Sequence, residues 1–120
     1  MTLSLDQNQR LQLIAIFDGL ECTGRRETWA VCALQSKLEL SDEERQEINL
    51  RALSGSDRRT YLVWDNNGAI RVREFEFAAD DVGRICRALD GYRVVLGRDR
   101  AWWEPLTAQL PEPEANGNKP

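Results

Sequence analysis

The chain has 120 residues, 42% of them hydrophobic and 30% charged, with a net charge of −4; these values suit one globular domain that buries a core without disulfides or a metal. It has no histidine and three cysteines, Cys22, Cys32 and Cys86. That excludes Ser-His and Cys-His catalysis and any zinc site built on histidine or a CxxC pair.

The start of the chain lacks the basic and apolar pattern of a signal peptide. Leu3 to Leu5 reads as a short extended lead-in, and Ser4 or Asp6 can cap the helix that follows. From Gln7 the apolar residues Leu11, Leu13, Ile14, Ile16, Phe17 and Leu20 recur in steps of three and four, which predicts an amphipathic helix weakened at Gly19. Glu21 to Arg26 reads as a loop. A second helix is expected over 26–37, with Trp29, Cys32 and Ala33 as its inner stripe. Ser41-Asp42-Glu43-Glu44 is a capping box for a short third helix over 42–47, whose acids form a solvated face at the positive end of the dipole.

The period then falls to two. Ile48, Leu50 and Ala52 alternate with Asn49 and Arg51, predicting a first strand. A polar loop over 54–59 leads to a second strand over 61–64. Asp65-Asn66-Asn67-Gly68 is a tight-turn signal, and a third strand over 69–77 completes a hairpin. The apolar parity flips between Val72 and Phe75, so a bulge is expected near Arg73-Glu74. Asp80 or Asp81 caps a fourth helix with Val82, Ile85, Cys86 and Leu89 inward, and Gly91 ends it. Tyr92 to Leu96 is read as a strand, and Asp99 as the cap of a last helix holding Trp102, Trp103 and Leu106. Pro111 to Pro120 carries nothing to bury. The expected fold is therefore α+β: N-terminal helices, a small antiparallel sheet built round a 60–77 hairpin, and C-terminal helices packed on one face. Residues 1–110 form the domain and 111–120 a disordered tail.

Chemistry-bearing constellations are few. Glu74, Glu76, Asp80 and Asp81 are dense enough to hold Mg²⁺, the basis of an alternative reading as a small metal-dependent hydrolase. The only lysines, Lys37 and Lys119, lie far from them in sequence. A solvated strand edge and a helix cap account for these acids, so no catalytic or metal residue is assigned and no cofactor is expected. Cys32 and Cys86 are placed on core stripes and Cys22 in an accessible loop. Trp64 with Arg71 and Arg73 mixes aromatic and guanidinium groups on the outer face of the hairpin, a composition favoured in binding surfaces. Arg58 and Arg59 extend that patch, and the four arginines also give a nucleic-acid-binding alternative, which the acidic balance disfavours. Adjacent Trp102 and Trp103 point about 100° apart on a helix, so one of them is a candidate partner contact.

Three segments, RLQLIAIFDGL, ETWAVCALQSKLELSDEERQEINL and GAIRVREFEFAADDVGRICRALD, run in this order between Arg10 and Leu110. Their pattern resembles small uncharacterised proteins encoded by bacteriophages and prophages. The resemblance assigns no residue a role. It implies a phage or mobile-element accessory protein in the bacterial host cytosol, non-enzymatic and protein-binding. An inhibitor of a host defence system, anti-CRISPR-like, is the expected kind. A protein partner and a homodimer are expected, and a membrane is not. The acids Asp42, Glu43 and Glu47 are a second candidate face, for a basic groove.

Overall fold

A computed structural model describes residues 1–65 and 71–112. The chain runs β1 (Thr2–Leu5), α1 (Gln7–Asp18), α2 (Arg25–Leu38), α3 (Asp42–Glu47), β2 (Arg51–Ser54), β3 (Thr60–Val63), β4 (Arg73–Glu76), α4 (Ala79–Asp90) and α5 (Leu96–Thr107). The α+β class expected from the sequence holds, with helices flanking small antiparallel sheets. None of the described helices is long and apolar enough to cross a membrane.

The strands pair differently from the expected hairpin. Among the described residues β3 turns back on β2, and β4 pairs with β1, giving two separate two-stranded antiparallel sheets. Leu3 sits opposite Phe75 and Ser4 opposite Glu74. Side chains alternate along a strand, so this register sends Leu3, Leu5, Phe75 and Phe77 inward together. All four are buried. No bulge at Arg73-Glu74 is needed: Val72 is simply left outside, exposed. Arg73 does share the face of Phe75, and its guanidinium stacks 5.1 Å from the ring centroid. The Asn66–Gly68 turn and residues 113–120 of the expected tail lie outside the described residues.

The outer side of β1 is closed by a side chain. The Gln109 amide accepts from Ser4 N at 2.7 Å and donates to Ser4 O at 2.8 Å, standing where a further strand would pair. The main core gathers Leu13 and Phe17 of α1, Val31, Leu34 and Leu38 of α2, Val82, Ile85 and Leu89 of α4, and Trp102 and Leu106 of α5 over this sheet.

Helix α1 starts at a capping box, with Asp6 accepting from Gln9 N and Gln9 answering to Asp6 N. Ser41 and Glu44 form the same device at α3, satisfying helix N–H groups that have no partner within the helix. In α2 the inner stripe is Val31, Leu34 and Leu38. Trp29, Cys32 and Ala33, expected inside, are on the solvent face, and Trp29 is 75% exposed. The branched and leucine stripe offers more apolar surface at three- and four-residue steps, and it wins. Asp80 and Asp81 stand in the first turn of α4, behind an N-cap at Ala78. Asp99 lies inside α5 rather than capping it, and residues 92–95 are a connection rather than a strand.

Candidate interaction surface

The four arginines and two tryptophan sites singled out in the sequence do not form one patch. Arg71 is held by Glu47 at 2.5 Å and Glu43 at 3.3 Å, and Glu47 foremost raises the stability of its charged form. Its backbone N–H donates to Gln7. Arg73 stacks on Phe75 and reaches Glu44 at 3.5 Å. Both arginines therefore tie the 71–73 segment to α3, and the acidic face of Glu43 and Glu47 is partly neutralised from within. Trp64 is half-buried against Leu11, Leu40 and Ile48, and its Nε1 donates to Asn8 at 2.9 Å. It anchors a satellite core rather than an outer face.

Trp102 is buried, and Trp103 packs partly buried beside it. The two rings meet edge-on, with centroids 5.7 Å apart, and Tyr92 stacks on Trp103 at 6.1 Å. Asp99 sits under this group, accepting from Val95 N, Tyr92 OH and Trp102 Nε1. The Arg98 hydrogen bond and these donors hold its carboxyl well below the usual carboxylate range against the burial that opposes them. Both tryptophans are thus accounted for inside the fold.

The deepest polar group was not legible in the sequence. Arg10 is fully buried. Its Nε donates to Leu38 O at 3.0 Å, its Nη2 to Glu39 O, and its Nη1 to Glu44 at 2.5 Å. The guanidinium closes the carbonyl end of α2 and pairs with the capping glutamate of α3. Burial pushes the Glu44 carboxyl up, but the Arg10 and Ser41 hydrogen bonds outweigh it and hold the value at about 2.

The acids proposed for a metal are dispersed. Glu76 takes the chain's terminal ammonium at 2.8 Å and the Thr2 hydroxyl, and Asp81 takes Arg84 at 2.8 Å. Among the described residues no group of three or more acids, cysteines or histidines is placed to hold an ion. Lys37, remote in sequence, lies close in space: its Nζ donates to Glu76 O and sits 4.6 Å from the Phe77 ring centroid. Cys32 is exposed, not on a core stripe, while Cys22 and Cys86 are half-buried against the main core. A shallow groove of about 510 Å³ runs between α1 and the α4–α5 joint, with Ile16, Leu20, Ala88 and Tyr92 along it and Arg93 and Arg98 at its rim.

The surface that serves no internal purpose is the β2–β3 ribbon. Its register pairs Arg51 with Val63, Ala52 with Leu62, Leu53 with Tyr61 and Ser54 with Thr60. One face therefore carries Arg51, Leu53, Tyr61 and Val63, and the other Ala52, Ser54, Thr60 and Leu62. Leu53 is 50% exposed, Tyr61 47% and Leu62 58%. Large apolar side chains thus stand in solvent on both faces. The ribbon springs from the satellite core at Ile48, where Asp65 N donates to Ile48 O at 2.7 Å, and ends at the tip in Arg58 and Arg59.

The tip is tightly specified. Arg58 N donates to Gly55 O, and Gly55 N to Arg59 O, a three-residue loop with its last residue left-handed. That residue is Arg58, at φ 65°. Asp57 accepts from Arg59 N at 3.1 Å and from Tyr61 OH at 2.5 Å. A Cβ at Gly55 would come within 2.7 Å of the Tyr61 ring and 2.8 Å of Asp57 Oδ1, so the glycine leaves room for the Tyr61–Asp57 contact as it stands. Of the expected surface residues, Arg58 and Arg59 belong to this ribbon. Leu53, Tyr61 and Leu62 were missed. Their signal was present: two short strands apolar on both faces, joined by a loop bearing two arginines, do not fit a sheet with one covered side.

Compared with known proteins, the chain matches no family model, no curated protein and no solved structure.

Proposed function

We propose that this chain is a non-enzymatic protein-binding module whose contact surface is the β2–β3 ribbon. It would serve as an accessory protein of a phage or mobile element that occupies a surface of a host protein, a component of a defence system foremost. The observation that carries the reading is the exposure of Leu53, Tyr61 and Leu62 on both faces of a two-stranded arm. A two-stranded ribbon is marginal on its own in water, and clustered exposed apolar side chains mark interaction sites. Rigid amphipathic tyrosine and a cationic tip are the residue types that anchor protein interfaces. The fitting partner is a protein with an apolar groove edged by carboxylates, the groove receiving Leu53 or Leu62 and the carboxylates receiving Arg58. The buried acids and several other arginines support this reading by being spent on internal pairs: Glu44 on Arg10, Asp99 on Arg98, Arg71 on Glu47.

The test compares affinity capture from a bacterial host by the unaltered chain, by L53S/L62S and by W29S. One stoichiometric protein retained by the unaltered chain and W29S but lost with L53S/L62S is the expected result. Equal capture by all three would refute the ribbon as the contact surface.

A further inference from the structure

We propose that a second copy of this chain pairs along the outer edge of β3, making a twofold, four-stranded sheet centred on Leu62; the inference rests on the ribbon being a contact surface. With two two-stranded sheets among the described residues, all four strands are edge strands, and their edges are treated differently. The outer side of β1 is occupied by the Gln109 amide. Among the described residues no strand pairs with the outer edge of β3. Native proteins blunt such edges with charge, proline or a covering element. β3 reads Thr-Tyr-Leu-Val, uncharged and rich in strand-forming residues, whereas β2 carries Arg51.

Hydrogen bonding and symmetry restrict the register. Gly55 N donates to Arg59 O across the ribbon, so in an antiparallel ladder Tyr61 and Val63 also point their peptide groups at β2, and those of Thr60 and Leu62 point outward. A twofold normal to the sheet keeps each face on its own side, so only residues of like face can meet. Centring on Tyr61 would set Asp57 opposite Asp65 of the second copy, acid against acid. Centring on Leu62 sets Tyr61 opposite Val63, Thr60 opposite Trp64, and Arg59 opposite Asp65, once on each side of the axis. Opposite charges directly across a ladder stabilise it, and like charges destabilise it. Arg59 is 79% exposed, with only a loose 3.9 Å contact to Asp57. Asp65 is half exposed and receives Arg51 at 3.5 Å and Asn49 at 3.2 Å, which leaves acceptor positions on its carboxylate.

One strand edge buries less than the roughly 1,600 Å² of a standard interface, so the association is concentration-dependent. Sedimentation velocity over a range of about 1 to 300 µM, bracketing a micromolar dissociation constant, reads it directly, with circular dichroism confirming that each variant is folded. The expected result is a monomer–dimer equilibrium that R59D or D65R shifts at least tenfold toward monomer and that R59D/D65R restores. L62K, which would place two ammonium groups on the axis, abolishes it. A monomer at every concentration overturns the proposal while leaving capture of a host protein by the ribbon intact. A dimer that ignores L62K, or one that the double charge reversal fails to restore, overturns the register.

Discussion

Replacing Arg10 by methionine removes the closer and buried one of the two cations that face Glu44, leaving only half-exposed Arg73 at 3.5 Å. The magnitude follows from the pair itself. Holding a carboxyl whose ordinary value is 4.5 down at about 2 corresponds to roughly 3 kcal/mol of native stability. Because the folded-state value is depressed, this contribution is fully present above pH 4.5 and is lost as pH falls toward 2. Without Arg10, burial is opposed only by the Ser41 hydrogen bonds and by Arg73, so the carboxyl moves up from its depressed value. Breaking one side of a buried pair costs about 3–5 kcal/mol, a large share of the roughly 5–15 kcal/mol available to a domain. Urea unfolding followed by tryptophan fluorescence at pH 7 and pH 4 should show R10M destabilised by about that amount at pH 7. The gap should narrow at pH 4, where Glu44 is protonated to a greater extent in the variant than in the parent, whose value is about 2. The double substitution R10M/E44M should recover most of the loss, short of the cost of leaving Leu38 O and Glu39 O without a donor. An R10M protein within 1 kcal/mol of the parent at pH 7, or a gap that widens as pH falls, would refute the reasoning.

Asp99→Asn keeps the shape of the side chain but removes the charge that binds Arg98. It should lower stability by about 2 kcal/mol in thermal unfolding. It should also flatten the acid limb of the stability curve, because Asp99 is depressed and its contribution disappears only in strong acid. Arg58→Gly relieves a left-handed backbone at φ 65°, worth about 1 kcal/mol within the ribbon, so hydrogen exchange at the Leu53 and Tyr61 amides should slow several-fold with little change in global stability. A maleimide should label exposed Cys32 first and Cys86 last. Burial shields the Cys86 thiol and pushes its pKa up, and the three rates are separable by mass spectrometry.

Local devices were legible because their partners lie within a turn of each other. The Ser41–Glu44 box and Asp6 as one of two candidate caps are read directly from the sequence, and so is the inner face of α4. Strand partners were not legible: β1 and β4 stand 71 residues apart, Thr2 to Arg73, and an Asn-Asn-Gly turn signal argues only for its neighbours. Helix α2 carries two stripes of nearly equal appeal, and apolar character placed Trp29 inside, whereas the Val31–Leu34–Leu38 spacing decided the packing. Arg10 hid in plain view. Gln7, Asn8, Gln9 and Arg10 read as a polar first turn and are all buried. Yet Arg10 falls three and seven residues before Leu13 and Phe17, on the same helical stripe, which was the available warning. The ribbon's apolar residues on both faces were a local signal, but which of them stay exposed depends on what fails to cover them, and that lies outside any short window.

The Gln109 amide on Ser4 has a consequence for synthesis. β1, the first of the described strands to be made, has both of its flanks completed by residues made much later, one by β4 and the other by a glutamine near the end of the described chain. Contacts of such sequence separation are slow to form. Leu3 and Leu5 must therefore wait, unpaired, until β4 has been translated, and the sheet edge at Ser4 stays open until Gln109 follows.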